Sequence, residues 1–385
     1  MLALVAFRSF SNVLITFILA VVLPSEESAL LFFCLMLSTQ VRGAAELNLS
    51  NFCVLRLQDG ANLTGLSLLL LVWQFFIVLI VLTICAIFDI VVIGINTISI
   101  VFFVVCNQGI WSIIYAYGSA DGKFNNYLVI QGGLLSALSA SIFLAPKFLA
   151  YLFFVYSLLT FIYFLTVVAS FHDTRKRTQL LFNQILIFIQ PFFVNNLTAL
   201  LFVLVSMPLV VKLLSDQEYV LYSLATQIAG LFLFLYRGIS KKLLAFLYTR
   251  GAKNQSEDRM IIALLFVASS LFFAGLPDLS FPQHASIQLK DAIIEPGLFM
   301  LSCGLGIITL VNLHQNNTLQ SIEKNWPLLA FRILSNSFLF AGLLLLYFCS
   351  VETTSRAILI VECLVCFIVV IATRGFLNQY WRNLE

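Results

Sequence analysis

The chain has 385 residues, of which 61% are hydrophobic and only 10% charged, with a formal net charge of +3. A soluble globular protein carries about a quarter charged residues, so this composition excludes a protein folded in water alone. The mean hydropathy of +1.02 comes from repeated apolar runs of roughly 20 residues, the length that crosses a bilayer as a helix. The short alternating segments of a membrane β-barrel are missing from the pattern.

The first span runs from about Ser9 to Leu23. Its Val13 to Leu23 part looks like the apolar stretch of a signal peptide. However, Arg8 is the only positive charge before it, and no small-x-small cleavage site follows before Pro24. A retained transmembrane helix is therefore expected. Pro24-Ser25-Glu26-Glu27 reads as a tight turn and an acidic helix start, with Ser25 able to cap. Span two, about Ser28 to Asn51, begins apolar and then carries Gln40, Arg42, Gly43, Glu46 and Asn48. A polar loop around Arg56, Asp59 and Gly60 follows. Spans three and four, about Leu66 to Phe88 and Ile90 to Gly118, part at Asp89. The loop Asp121 to Asn126 leads to span five, about Tyr127 to Ala145, and Pro146-Lys147 turns the chain into span six, about Phe148 to Ser170.

The basic segment His172-Asp173-Thr174-Arg175-Lys176-Arg177 then interrupts the apolar pattern. Span seven, about Gln184 to Leu214, is punctuated by Gln190-Pro191, Asn195-Asn196 and Pro208. A proline inside a helix frees a carbonyl and usually kinks it. Span eight, about Glu218 to Tyr248, carries Gln227 and Arg237-Gly238. After a hydrophilic loop from Arg250 to Arg259 come span nine, about Met260 to Leu276, and the longest outer loop, Pro277 to Asp291. Spans ten, eleven and twelve are about Pro296 to Gln315, Trp326 to Phe348 and Ala357 to Gly375.

Charge placement orients these spans. With the amino terminus inside, sixteen of the 21 Lys and Arg residues fall on the inner side. Only Lys147, Lys212, Lys290 and Arg356 fall outside, and Arg332 lies within span eleven. The positive-inside rule then predicts an all-α polytopic membrane protein of about twelve helices, both termini cytoplasmic. The basic segment marks the expected seam: a six-helix bundle over 1–171, a linker over 172–183 and a second six-helix bundle over 184–385. Six is an even number, so the halves sit the same way up and form parallel repeats about an axis along the membrane normal, with a site at their interface.

Few residues offer chemistry. The eight cysteines lie in or beside apolar runs, as packing residues do, and the Cys363-x-x-Cys366 pair has no second pair or histidine to complete a metal set. His172, His284 and His314 are scattered, no phosphate-binding loop is present, and no long outer loop could house a polymerase active site. A transporter without cofactor or resident metal is expected rather than an enzyme, and nothing points to nucleic acid. Polar groups inside spans are the informative ones, because an isolated charge at mid-membrane costs at least about 3 kcal/mol. Arg42 and Glu46 are spaced i, i+4 and can pair, with Gln40 and Asn12 nearby in the pattern. Gln190, Asn195, Gln227 and Arg237 are the counterparts in the second half, and Arg332 lies a turn before Ser335 and Asn336. The arginines suit an anionic head group through their planar fork, or they snorkel to the interface. Glu362 is expected to pair with a polar neighbour or to lie close to a water-filled crevice, rather than to be catalytic. Trp111, Tyr115, Tyr117 and Tyr127 either stack on sugar rings or form an interfacial belt.

The pattern Ser11-Asn12, Leu23-Pro24-Ser25-Glu26-Glu27 and Gln40-Val41-Arg42-Gly43 returns as Asn195-Asn196, Leu214-Ser215-Asp216-Gln217-Glu218 and Tyr236-Arg237-Gly238. In these stretches, and in span count and loop polarity along the whole chain, the sequence resembles the bacterial polysaccharide flippases of the Wzx type. These belong to the multidrug/oligosaccharidyl-lipid/polysaccharide exporter superfamily. The resemblance implies a MATE-like fold of two six-helix bundles around a cavity open alternately to each side. It implies an inner-membrane flippase for a polyprenyl-pyrophosphate-linked oligosaccharide, such as an O-antigen repeat unit of lipopolysaccharide. A polysaccharide polymerase and a chain-length regulator would be its protein partners. The alternatives are a cation-coupled multidrug exporter on the same scaffold, which would want carboxylates in the first span, and a membrane polysaccharide polymerase. Peptidoglycan-precursor flipping is disfavoured by a count of only twelve spans.

Overall fold

The computed structural model describes residues 2–46, 64–87, 93–172, 182–232, 255–276, 287–288, 293–321, 325–348 and 353–382. The helices are α1 (Leu2–Val22), α2 (Ser25–Ala45), α3 (Thr64–Ile87), α4 (Ile95–Val104), α5 (Trp111–Asp121), α6 (Phe124–Leu144), α7 (Leu149–His172) and α8 (Phe182–Leu213). They continue as α9 (216–232), α10 (Gln255–Gly275), α11 (Pro296–Ser321), α12 (Asn325–Phe348) and α13 (Ser355–Arg382). A π-helical turn, Val105–Ile110, joins α4 to α5 in one continuous rod. Counting that rod once, the twelve helical rods among the described residues follow the twelve expected spans in order.

Nine of them among the described residues are long and apolar enough to cross a membrane. The other three are α2, whose end is polar, α9, described only to residue 232, and α10, whose apolar part is the shorter Ile261–Gly275. The exposed faces agree with this. On α3, Leu69, Trp73, Phe76, Ile80, Ile84 and Ile87 stand outward at three- and four-residue spacing, while Leu70, Gln74, Val78 and Leu82 are buried on the other side. A continuous apolar stripe of this size is stable only against hydrocarbon. The protein is a multi-pass membrane protein.

Local sequence sets the helix ends. Pro24 separates α1 from α2, and Pro296 opens α11 at the first-turn position where a missing N–H costs nothing. Gly122 closes α5 in the left-handed conformation at φ +72°, which glycine adopts without a Cβ clash. At α13, Thr354 Oγ1 accepts from the Ala357 N–H at 3.3 Å and Glu218 Oε2 accepts from the Ser355 N–H at 2.6 Å. Two orphan donors of that terminus are thereby satisfied. Within spans, serine hydroxyls return to carbonyls one turn earlier, as Ser139 does to Leu135 and Ser302 to Leu298. Helix α8 runs through both Pro191 and Pro208. Between α10 and α11 lies a two-stranded antiparallel pair, β1 (Ile287–Gln288) and β2 (Ile293–Ile294), with Ile287 opposite Ile294, which the sequence pattern does not announce.

By packing, the chain falls into two compact units, one of Met1–Glu26 with Leu209–Glu385 and one of Glu27–Pro208. In the first, α10, α11 and α13 pack side by side, with α12 against α13. In the second, α7 packs along α4 and the π turn, and α5 pairs with α6. The expected linker 172–183 lies almost wholly outside the described residues.

Candidate functional site

In the Glu27–Pro208 unit the polar side chains gather where the end of α2 meets the π turn. The Arg42 Nη1 group donates to Glu46 Oε2 at 3.0 Å, the i, i+4 pair the sequence suggests. Arg42 Nε donates to Gln108 Oε1 at 3.2 Å, and Gln108 Nε2 donates to Thr39 Oγ1 at 3.0 Å. The Arg42 and Glu46 side chains keep only 11% and 16% of their surface exposed. These bonds use Nε and one Nη1 hydrogen; among the described residues Nη2 makes none. A guanidinium clamped from two sides, with one amino group left over, is preorganised to receive an anion. Gln40 is exposed on the same turn, its Nε2 3.9 Å from Met207 Sδ.

Behind Gln108 lies a second polar layer. Widening from α to π geometry lets carbonyls leave the helix ladder, so each needs another donor. The Asn107 carbonyl accepts from Gln131 Nε2 at 2.8 Å, and the Gly109 carbonyl from Ser112 Oγ at 2.7 Å. The Asn107 side chain adds to this, its Oδ1 accepting from Gln131 Nε2 and from Tyr156 O–H, each at 2.8 Å. Tyr115 O–H donates to Gln131 Oε1. Asn107, Gln131 and Tyr156 are buried. Gln74 on α3 is fully buried as well, both its amide atoms without a hydrogen-bond partner among the described residues, and its Oε1 faces Gly109. One residue away from this polar layer, Cys106 faces an apolar hollow of about 500 Å³, walled mainly by Phe102, Phe154, Leu158 and Phe161. The π turn thus divides a polar lining from a hydrocarbon one.

The Met1–Glu26 and Leu209–Glu385 unit holds another arrangement. Glu362 on α13 accepts a 2.6 Å hydrogen bond from Tyr222 O–H on α9, the polar neighbour expected for it. Half-buried Arg332 lies on α12 beside Phe331, whose ring packs edge-on against Phe376. Asn12 on α1 and Gln227 on α9 are half-buried in the same unit, and Asn12 is already engaged in an interaction. Gln190 and Asn195 lie on α8 with side chains outside the described residues, and Arg237 is outside them altogether.

The belt reading of the aromatic residues is corrected. Trp111, Tyr117 and Tyr127 are buried, and Trp111 and Tyr127 pack on Tyr163 with ring centroids 5.7 and 6.1 Å away. The cause is the close pairing of α5 with α6 and α7, which encloses these rings in the unit. The same enclosure keeps the two tyrosines and Trp111 from stacking on a sugar.

No family model matches the sequence, and no curated protein matches it. Solved structures do match. A multidrug resistance MATE family transporter of the MOP superfamily, in its inward-facing conformation, matches with a TM-score of 0.63 at 13% identity, over 97% of this chain and 94% of that one. The fold is MATE-like. Lipid II flippase MurJ, in an inward closed conformation, shares it with a TM-score of 0.61 at 14% identity, over 97% of this chain and 86% of that one. At these identities the MATE-like scaffold is what is common.

Sequence reasoning found Arg42 and Glu46 and missed Asn107, Gln108, Gln131 and Gln74. The available signal was Asn107-Gln108-Gly109 in the middle of an apolar span, two amides whose burial demands partners.

Proposed function

We propose that the protein is a flippase of a bacterial inner membrane, moving a polyprenyl-pyrophosphate-linked oligosaccharide from the cytoplasmic to the periplasmic leaflet. The observation that carries this reading is the clamped Arg42 guanidinium, with Nη2 unengaged among the described residues. Such a group matches the pyrophosphate of a lipid-linked glycan. The fold supports it, since one solved structure of the same architecture is a lipid II flippase. The multidrug alternative shares the fold; however, α1 contains no Asp or Glu to attract a cationic drug.

In this proposal Arg42, Arg237 and Arg332 hold the anionic head, with Glu46 fixing Arg42. Asn12, Gln40, Gln190, Asn195 and Gln227 contact sugar hydroxyls. Two halves, 1–171 and 184–385, rock about the linker 172–183 with both termini in the cytoplasm, giving alternating access. The glycan passes to a polymerase and chain-length regulator outside, as in O-antigen and lipopolysaccharide assembly. Deleting the gene from its host and reading the surface polysaccharide on a gel tests this. Loss of the polysaccharide, accumulation of its lipid-linked unit and recovery with the intact gene are expected. Unchanged surface polysaccharide refutes the reading.

A further inference from the structure

Gln74 stands in the middle of α3, fully buried, and neither its Oε1 nor its Nε2 has a hydrogen-bond partner among the described residues. A carboxamide in that state has lost its bonds to water without replacement, and a leucine would fill the space without that cost. What Gln74 touches is the π turn. A Cβ added to Gly109 would lie 2.6 Å from Gln74 Oε1 and 3.3 Å from Leu71 Cδ2, one turn back on α3. Glycine at 109 leaves the room that the amide occupies. The residue before it is Gln108, whose Oε1 accepts from Arg42 Nε at 3.2 Å. Helix α3 is also tied to the end of α2, where Trp73 Nε1 donates to the Ala45 carbonyl at 3.2 Å. The unbonded amide and the Arg42 clamp therefore sit on neighbouring elements of one compact unit.

A pyrophosphate meets a guanidinium best along an edge that offers two parallel N–H groups. Arg42 Nη1 donates to Glu46 Oε2 at 3.0 Å, so the edge that Nη1 shares with Nη2 lies beside a carboxylate, which repels an anion. The other edge joins Nη2 to Nε. Nη2 makes no bond among the described residues, whereas Nε is held by Gln108. An anion takes both bonds of that edge only when Gln108 lets go of Nε. The Gln108 oxygen then needs another donor, and Gln74 Nε2, against the next residue of the turn, has its hydrogens unused. We propose that Gln74 is a positioning residue for anion binding: it receives the Gln108 carboxamide when the anion displaces it from Arg42 and gives it back when the anion leaves. Two facing carboxamides exchange both N–H···O bonds, so the move satisfies Gln74 as well as Gln108 and favours the loaded state. This relay rests on the reading of Arg42 as the pyrophosphate's partner.

Binding of a fluorescent polyprenyl pyrophosphate to the full chain in detergent tests it, with unfolding midpoints measured on the same samples. Gln74→Leu, or Gln74→Met where leucine does not fold, should unfold no lower than wild type without the probe, because an unbonded amide has been removed. The same variant should bind the probe about tenfold more weakly, as the loss of one amide hydrogen bond implies. In a Gln108→Leu background no carboxamide has to be received, so the Gln74 change should leave the dissociation constant as it was. A Gln74 that only packs would weaken binding equally in both backgrounds. Wild-type affinity in the Gln74 variants, an equal loss in both backgrounds, or a lowered unfolding midpoint overturns the relay. Arg42→Ala checks the reading beneath it. If that variant binds the probe as wild type does, Arg42 is not the pyrophosphate's partner and the relay falls with that reading. Binding lost in Arg42→Ala but kept in Gln74→Leu refutes the relay alone.

Discussion

Replacing Arg42 by alanine separates a residue that grips cargo from one that merely braces α2. The change removes the 3.0 Å pair with Glu46 and the 3.2 Å bond to Gln108. An exposed i, i+4 pair contributes about 0.3–0.5 kcal/mol, whereas removing one partner of a fully buried pair costs about 3–5 kcal/mol. At 11% and 16% exposure the pair lies between these limits, and we expect a loss of about 2 kcal/mol. Most of that loss is the Glu46 charge left alone, so Arg42→Ala with Glu46→Ala should recover all but about 0.5–1 kcal/mol, the remainder being the lost Gln108 bond. Denaturant unfolding of the purified protein in detergent measures both. Surface polysaccharide made by the same variants then reports function. If Arg42 holds the pyrophosphate, the single and the double variant both fail to export, although the double variant is nearly as stable as wild type. Arg42→Lys, which keeps the charge and loses the fork, should export weakly. Full export by the double variant would refute the binding role and leave Arg42 a brace.

Asn107→Ala strips the buried network of the acceptor shared by Gln131 and Tyr156 and should cost about 2 kcal/mol; adding Tyr156→Phe should cost less than the two changes summed, as a double-mutant cycle in detergent would show. Gly306→Ala puts a Cβ 2.9 Å from the Ala229 carbonyl and 2.5 Å from the Phe232 ring, forcing α9 and α11 apart, so a loss of about 1–3 kcal/mol and a lower unfolding midpoint are expected. Glu218→Ala removes the 2.6 Å bond to the Ser355 N–H and should cost about 1–2 kcal/mol, with faster amide exchange confined to the first turn of α13.

The sequence by itself determined the elements and their order. Apolar runs of bilayer length become helices because only internal hydrogen bonding satisfies the backbone in lipid, and Pro24, Pro146 and Pro296 mark where they start or stop. The Arg42–Glu46 pair was legible too, because four residues along one helix is a local relation. What the tertiary structure alone decided is which face of each helix meets which neighbour. In water, the apolar period identifies the buried face. In a bilayer the lipid-facing and core-facing sides are both apolar, so the period loses that information. For the same reason nothing in the pattern tells that Gln108, 66 residues along the chain, closes on Arg42. Nor does it tell that Tyr222 meets Glu362 across 140 residues, or that the aromatic residues after the π turn belong to the interior. Those are contacts between helices, fixed by close approach at small residues such as Gly306 and by the need of each buried polar group for a partner.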